Sequence, residues 1–348
     1  MQPILLDCFP EEIETVLAEK KQPRFRAKQI FTWLHKGKKF AEMQNIPLSL
    51  REALAQDYID QPTTIAQTHA SQKDDTVKFL FALPDGNMVE GVLMHYHYGY
   101  TLCISTQVGC RMGCTFCAST LGGCVRNLTA GEMIGQVLCA NAHLASLGRS
   151  DTVGHVVLMG CGEPLDNYDN TIRFLKLINH EQGLHISLRH ISVSTCGIVP
   201  AIDRLAKEKM PITLSISLHA PYNDMRQNMM PIAKVFPIDE LLAAVRRYVQ
   251  ETGRRVVFEY ALVANVNCEE KHARDLAKCL RGLQCHVNLI PLNPVSERDL
   301  HSATKENVKR FLTVLEQNHI SATVRREMGT DIAGACGQLR RNHLKDMQ

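Results

Sequence analysis

The chain has 348 residues, 45% of them hydrophobic and 22% charged, with a formal net charge of +3. These are ordinary globular values, so a disordered or fibrous chain is excluded, and the length suggests about two domains at ~150 residues each. No apolar run is long enough to span a bilayer, and residues 1–9 lack a basic stretch followed by an apolar one. A cytoplasmic protein with no membrane segment is therefore expected. Its thirteen cysteines should then be reduced, which favours metal, catalytic or core roles over a disulfide framework.

The N-terminal region carries the first asymmetry. Residues 20–39 include Lys20, Lys21, Arg24, Arg26, Lys28, Lys36, Lys38 and Lys39 and no acid, which leaves the rest of the chain net negative. Phe25, Phe31 and the single tryptophan, Trp33, lie between these charges. Such clustering fits a small helical module facing a phosphate backbone. A solvated amphipathic helix with core aromatics explains the same residues, and taken alone it is the stronger reading. Ser49 and Glu52 read as a capping box opening the module's last helix, which should end near Ile59. Residues 61–72 turn polar and read as a linker. Strand-like runs over 76–83 and 88–95 flank Pro84, Asp85, Gly86 and Asn87, which is hairpin chemistry.

Beyond Thr101, short β-branched runs alternate with longer amphipathic ones. Strands are expected over 101–106, 153–159, 189–194, 212–217, 256–262, 286–290 and 320–325. Helices are expected over 129–147, 170–179, 199–207, 238–251, 269–281 and 305–317, the first opened by a Thr129–Glu132 capping box. This alternation predicts an α/β fold with a parallel sheet and crossover helices. About six such units make a partial, open barrel of the (βα)6 type, with ligands at the carboxyl ends of its strands. The expected division is a basic helical domain over 1–62, a linker and hairpin over 63–100, the barrel over 101–330 and a C-terminal segment over 331–348.

The strongest chemical signal is Cys110-Arg-Met-Gly-Cys114-Thr-Phe-Cys117, just after a strand. A structural zinc site would want a fourth ligand. A cubane iron–sulfur cluster held by three cysteines leaves one iron open to a small chelating molecule. With Phe116 before the last cysteine, the motif resembles that of the radical S-adenosylmethionine (SAM) enzymes. Four further segments narrow the likeness: Gly160-Cys-Gly162-Glu163-Pro164, Ser192-Val-Ser194-Thr-Cys-Gly197, Ser215-Ile-Ser217-Leu218-His219-Ala-Pro221 and Asp331-Ile-Ala-Gly-Ala-Cys336-Gly-Gln-Leu339. Together, and over essentially the whole chain, they resemble the RlmN/Cfr family of RNA adenine methyltransferases.

The resemblance implies a fold, two cofactors and a division of labour. The fold is the partial barrel of radical SAM enzymes with a small N-terminal RNA-binding domain. A four-iron four-sulfur (4Fe-4S) cluster would sit on Cys110, Cys114 and Cys117. SAM, two molecules per turnover, would be bound by Gly162, Glu163, Ser194, Ser217, Leu218, His219 and Asn293. Cys336 would take a methyl group from one SAM. A radical made from the second would then activate that methyl for addition to the adenine ring, whose carbon is not nucleophilic. Cys103 would release the product by forming a disulfide with Cys336, and Glu90 would accept the ring proton. Read without the family, Cys103 is a buried hydrophobe, Cys336 a spectator thiol and Glu90 a carboxylate on a hairpin surface.

By resemblance the substrates are an adenosine in the peptidyl-transferase region of 23S rRNA and the adenosine 3′ to the anticodon of tRNA. A flavodoxin or ferredoxin would supply electrons to a monomeric enzyme. Phe116-Cys117-Ala-Ser-Thr120, Gly162-Glu-Pro164 and Val324-Arg-Arg-Glu327 look like the carbon-2 (RlmN) branch rather than the carbon-8 (Cfr) branch. Cys161 departs from the more usual residue between the two glycines. Two other classes stay open at this point. One is a zinc-stabilised RNA-binding protein using Cys103, Cys110, Cys114 and Cys117. The other is a radical enzyme acting on a small metabolite, which leaves the basic module unexplained. Arg325-Arg326 and Arg340-Arg341 flank the Cys336 segment and read equally as RNA contacts or as solvated charge.

Overall fold

The structure is a computed structural model, and it describes residues 2–293 and 298–332. Cys336, Arg340 and Arg341 lie outside the described residues. The chain opens with three helices, α1 (Pro10–Glu19), α2 (Arg26–His35) and α3 (Leu48–Asp57). Each buries one apolar stripe: Ile13 and Leu17; Ala27, Ile30, Phe31 and Leu34; Leu50 and Leu54. Burial of each large side chain is worth about 1.5–3 kcal/mol. The charges face outward, with Lys21, Arg24, Lys28, Lys36, Lys38 and Lys39 exposed. Lys20 pairs with Asp57, and Lys38 with Glu42 at 3.0 Å.

The aromatics divide, Phe31 lying in the core while Phe25 is 62% exposed. The Ser49–Glu52 capping box does not form. α3 starts two residues earlier than that box requires, behind Pro47, whose carbonyl accepts from the amides of Leu50 and Arg51. Ser49 is thus already inside the first turn, and the helix stops at Asp57 rather than near Ile59.

The expected linker contains a strand. β1 (Thr64–Ala70) pairs antiparallel with β2 (Val77–Ala82), which pairs with β3 (Met88–Tyr96), which pairs with β4 (Gly99–Cys103). β1 is an edge strand with a largely exposed pattern, so its composition is polar and its strand signal weak. The strand expected over 101–106 is interrupted. β4 ends at Cys103, and β5 (Gln107–Gly109) leaves to pair with β6 (Cys124–Asn127) in a separate two-stranded ribbon.

From there helices and strands alternate: α4 (Ala130–Ser146), β7 (Val153–Leu158), α5 (Tyr168–Ile178), β8 (Ile191–Thr195), α6 (Val199–Lys207) and β9 (Thr213–Ser217). There follow α7 (Asn223–Met229), α8 (Ile238–Thr252), β10 (Val256–Leu262), α9 (Glu270–Leu280), β11 (Cys285–Pro291), α10 (Lys305–Gln317) and β12 (Ala322–Val324). The Thr129–Glu132 box is formed at the start of α4, with Thr129 Oγ1 accepting from the Glu132 amide and Glu132 Oε2 accepting from that of Thr129 at 2.9 Å.

The sheet runs β1-β2-β3-β4-β7-β8-β9-β10-β11-β12, with every neighbour pair from β4 onward parallel. The expected α/β architecture is therefore present, a partial barrel with its parallel part prolonged by the antiparallel hairpin. Ser187 Oγ accepts from the Arg189 amide in a single turn over residues 188–190, which delays β8 to Ile191.

The N-terminal helices dock on the barrel's outer layer. Asp7 accepts from the Gly131 amide at 2.6 Å at the start of α4, and Arg173 Nε donates to the Asp7 carbonyl at 2.7 Å. His35 is 4% exposed, its ring against those of Phe31 and, through Phe31, near His180. Burial, and secondarily His180, lowers its pKa to about 3. Unfolded, the same ring titrates near 6.5. The docked module is therefore favoured above pH 6.5 and loses that stability as pH falls from 6.5 towards 3. At pH 5 the expected loss is ~2 kcal/mol relative to pH 7. Urea midpoints read by Trp33 fluorescence in α2 should shift accordingly, and a His35→Leu variant should lack that part of the shift.

Candidate active site

At the carboxyl ends of the strands lies a cavity of about 350 Å³. β3 contributes Val92 and Met94, β4 Cys103, and the loop after β5 contributes Cys110, Cys114, Phe116 and Cys117. The ends of β7, β8 and β9 bring Gly162, Glu163, Ser194, Ser217 and His219, and β11 brings Asn293. The sequence-derived residues thus converge, with three exceptions. Leu218 is fully buried with its side chain in the hydrophobic core. Its amide donates to the Glu259 carbonyl and its own carbonyl accepts from Arg226. Glu90 is not in the cavity lining. It is 2% exposed, not a hairpin surface carboxylate, and its Oε2 lies 2.9 Å from Lys78 Nζ. Cys336 is the third, outside the described residues.

Local geometry explains why these residues meet. Gly109 has φ +83°, and a Cβ there would stand 2.0 Å from the Gly123 carbonyl oxygen. Only glycine lets the cysteine loop close, with the Cys110 amide donating to Gly123 at 2.8 Å. Gly162 has φ +112°, and a Cβ would come within 2.7 Å of Thr106 and Gln107. The close approach that its sequence suggested is therefore made first of all to the chain's own residues 106 and 107, with the cavity on the other side.

Glu163 follows, buried at 4% exposure. Oε1 accepts from the Leu165 amide at 3.0 Å and Oε2 from the Cys196 amide at 2.7 Å. Burial raises its pKa against those hydrogen bonds. Gln107 Oε1 in turn accepts from the Glu163 amide at 2.8 Å.

His219 sits in the left-handed region at φ +57°. Its Nδ1 accepts from the Ala261 amide at 2.9 Å, its carbonyl accepts from Asn267, and the Phe116 ring stands edge-on to it with centroids 4.8 Å apart. Burial, then Arg226, lowers its pKa to about 3. It is a neutral ring at physiological pH, with its hydrogen on Nε2.

The three loop thiols are held where a metal-bearing group would activate them. Burial pushes the Cys114 thiol up to about 12, and it pushes Cys110 higher still. Bare thiolates are thus disfavoured, and cationic iron would supply the missing charge. Among the described residues no three His, Cys, Asp or Glu side chains gather as ligands of a single ion. A cubane does not ask for that, since each thiolate takes a different iron, whereas a mononuclear zinc site does. The donor set therefore fits the cluster better than zinc.

Several residues at this site went unread in the sequence. Arg226 is fully buried and donates from Nη2 to the Cys196 carbonyl at 2.6 Å and to that of Ser217 at 3.2 Å, and from Nε to that of Leu218 at 3.2 Å. Burial lowers its pKa to about 10, which leaves it charged. Asn267, likewise fully buried, ties the His219 and Ala261 carbonyls and the Val263 amide together. No motif marks either residue, because each bonds to backbone groups of neighbouring loops and strand ends, which carry no side-chain signature. Lys78 did leave a signal: it interrupts an apolar run, as Glu90 does on the facing strand.

A parallel barrel with three thiols on a loop at its ligand-binding end belongs to one known class, and the comparisons agree. The family model for the radical SAM superfamily matches residues 104–277, and that for the ribosomal RNA large subunit methyltransferase N-terminal domain matches residues 4–59. Cofactors of the first family are SAM and a 4Fe-4S cluster. A protein of Alkaliphilus oremlandii named a probable dual-specificity RNA methyltransferase RlmN is 52% identical, over 98% of each chain. One of the same name from Clostridium tetani is 48% identical over 98% of this chain and 97% of its own. The crystal structure of a radical SAM methyltransferase from Sphaerobacter thermophilus superposes with a TM-score of 0.93 at 44% identity, covering 97% of this chain and 98% of that one. The chain belongs to the RlmN family of radical SAM methyltransferases.

Removing the buried guanidinium tests how the strand ends are held. Arg226→Met takes a donor from the carbonyls of Cys196, Ser217, Leu218 and Phe236 and should lower stability by roughly 2–4 kcal/mol. Urea denaturation followed by circular dichroism would measure it.

Proposed function

We propose that the protein methylates carbon 2 of adenosine at two kinds of RNA site, the peptidyl-transferase region of 23S rRNA and the position 3′ to the anticodon of tRNA. The observation that carries this reading is that Cys103 shares one cavity with the three loop thiols and the strand-end polar groups, in a chain of the RlmN family. The relatives' names supply the RNA substrates and the dual specificity. The carbon-2 assignment rests on the likeness of the segments 116–120, 162–164 and 324–327 to the carbon-2 branch of the family.

Cys110, Cys114 and Cys117 hold the cluster. When bound, it supplies a single electron to SAM and so opens radical chemistry at a methyl group that has no acidic hydrogen. Gly162, Glu163, Ser194, Ser217, His219 and Asn293 bind SAM. Glu163 suits an ammonium as a buried carboxylate in the cavity lining, held in place by the Leu165 and Cys196 amides and the Thr195 hydroxyl. Leu218 contributes by shape, because its backbone groups already have partners.

Cys336 accepts a methyl group as a thiolate and presents it for transfer, so that one turnover uses two SAM molecules. Cys103 then attacks the Cys336 sulfur: the S–S bond forms as the carbon–sulfur bond breaks, the bonding pair and the Cys103 thiol's proton go to the carbon, which becomes the methyl group, and the product leaves. Glu90 takes the ring proton. The exposed lysines and arginines of the N-terminal module supply a sequence-independent attraction to RNA. A flavodoxin or ferredoxin serves as electron donor, and the enzyme works as a cytoplasmic monomer. No helix among the described residues is long and apolar enough to cross a membrane.

Mass spectrometry of RNA digests from cells with and without the gene should show one added methyl on carbon 2 of adenosine at both sites. The mass on carbon 8, or no change, would overturn the assignment. Cys336→Ala should hold iron yet never carry a methyl group. Cys103→Ala should accumulate protein covalently joined to RNA, as denaturing gels would reveal. Replacing Lys21, Arg24, Lys28 and Lys36 by Gln should weaken RNA binding and flatten its salt dependence while SAM cleavage persists.

A further inference from the structure

We propose that Lys78 is a positioning residue for the proton-accepting step, holding the Glu90 carboxylate where the ring proton leaves. The inference rests on the reading of Glu90 as proton acceptor.

Lys78 Nζ and Glu90 Oε2 are 2.9 Å apart, with their side chains only 1% and 2% exposed. The pair is tied to the site by register. Lys78 is opposite Val92 on β3, and Val92 is opposite Cys103 on β4, so the three form one row across three strands. Glu90 lies two residues from Val92 and shares its face of the sheet. That face lines the cavity at Val92, Met94 and Cys103. The backbone is fixed as well, because Ser105 Oγ donates to the Glu90 carbonyl at 2.7 Å.

Stability does not explain such a pair. β2 is otherwise built of Val77, Phe79, Leu80 and Phe81, all buried. Replacing a buried ion pair by apolar side chains of similar volume is commonly neutral or stabilising. A lysine and a glutamate beside a reactive thiol point instead to a use for an oriented carboxylate. By occupying Oε2, the ammonium fixes the plane of the carboxylate relative to the Cys103 row. In the step itself the ring C–H bond breaks, its electron pair stays with the ring and the proton ends on a Glu90 oxygen, while the odd electron left by radical addition would return to the oxidised iron–sulfur cluster. The ammonium keeps its own protons.

The test uses the full-length protein with its cluster reconstituted, SAM and a tRNA substrate. Three quantities are followed: methyl on Cys336, covalent RNA–protein adduct, and free methylated RNA. Lys78→Met should methylate Cys336 normally, release product about tenfold more slowly and accumulate adduct, and Lys78→Arg should restore release. Product release at the normal rate from Lys78→Met overturns the proposal. Equal loss of Cys336 methylation and of release overturns it too, since that is what a scaffold residue would do. Glu90→Gln separates the two readings: without adduct in that variant, the proton-acceptor role itself fails. Adduct in Glu90→Gln but not in Lys78→Met sinks the positioning role alone.

Discussion

A buried carboxylate and a buried guanidinium take hold of the two backbone groups of a single residue, Cys196, at the rim of this barrel. Glu163 Oε2 accepts from the Cys196 amide at 2.7 Å, while Arg226 Nη2 donates to the Cys196 carbonyl at 2.6 Å. Neither charge has direct contact with the other, and each would be costly alone in a dry environment. Each is instead held by hydrogen bonds to backbone, and together they fasten the end of β7 to those of β8 and β9. Ser194, Ser217 and His219 all hang from those ends. The site's geometry is thus a consequence of where the parallel sheet leaves its backbone groups without a partner.

Much of this was legible in the sequence, and the failures have physical reasons. Amphipathic helices such as Val199–Lys207 and Lys305–Gln317 read correctly to the residue, because their apolar stripes face a continuous core. Two Ser/Thr-x-x-Glu segments looked alike, yet only the one at Thr129 caps a helix. At Ser49 the box fails because Pro47 takes the N-cap position two residues upstream. β1 was missed because its partner lies on one side only, so its side chains carry a surface composition. The end of β4 was misplaced because residues 104–106 bond irregularly to residues 157–161 instead of extending the ladder.

The site was less legible than the fold. Cysteine spacing marked the loop without help, since three thiols in eight residues are rare in a globular core. Glu163, Ser194, Ser217 and His219 could be placed near the site by their position at strand ends, but their roles came from family resemblance. Glu90 shows the limit most clearly. By itself it read as solvent-exposed, and its burial depends on Lys78, a residue on another strand. A pairwise constraint of that kind is invisible to any window along the chain.

The open side of the barrel is closed by chain rather than by strand. β12 is an edge, and the residues that follow it, Arg325, Arg326, Glu327 and Met328, cross the cavity mouth. They reach the connection between β1 and β2, where the Gly329 amide donates to Asp74 at 3.0 Å. There Asp331 accepts from Ser71 Oγ at 2.6 Å and from the Gln72 amide at 2.8 Å. Hydrogen bonds of this kind are worth about 0.5–1.5 kcal/mol each, far less together than a closed ladder of strands. The two walls of the cavity therefore differ in strength. One is a continuous parallel sheet bearing the polar strand ends, and the other is a short, polar tether. An enzyme that must hold a small cofactor firmly yet admit a nucleotide from a large RNA needs that inequality, and the segment that crosses the mouth lines the same cavity as Cys103.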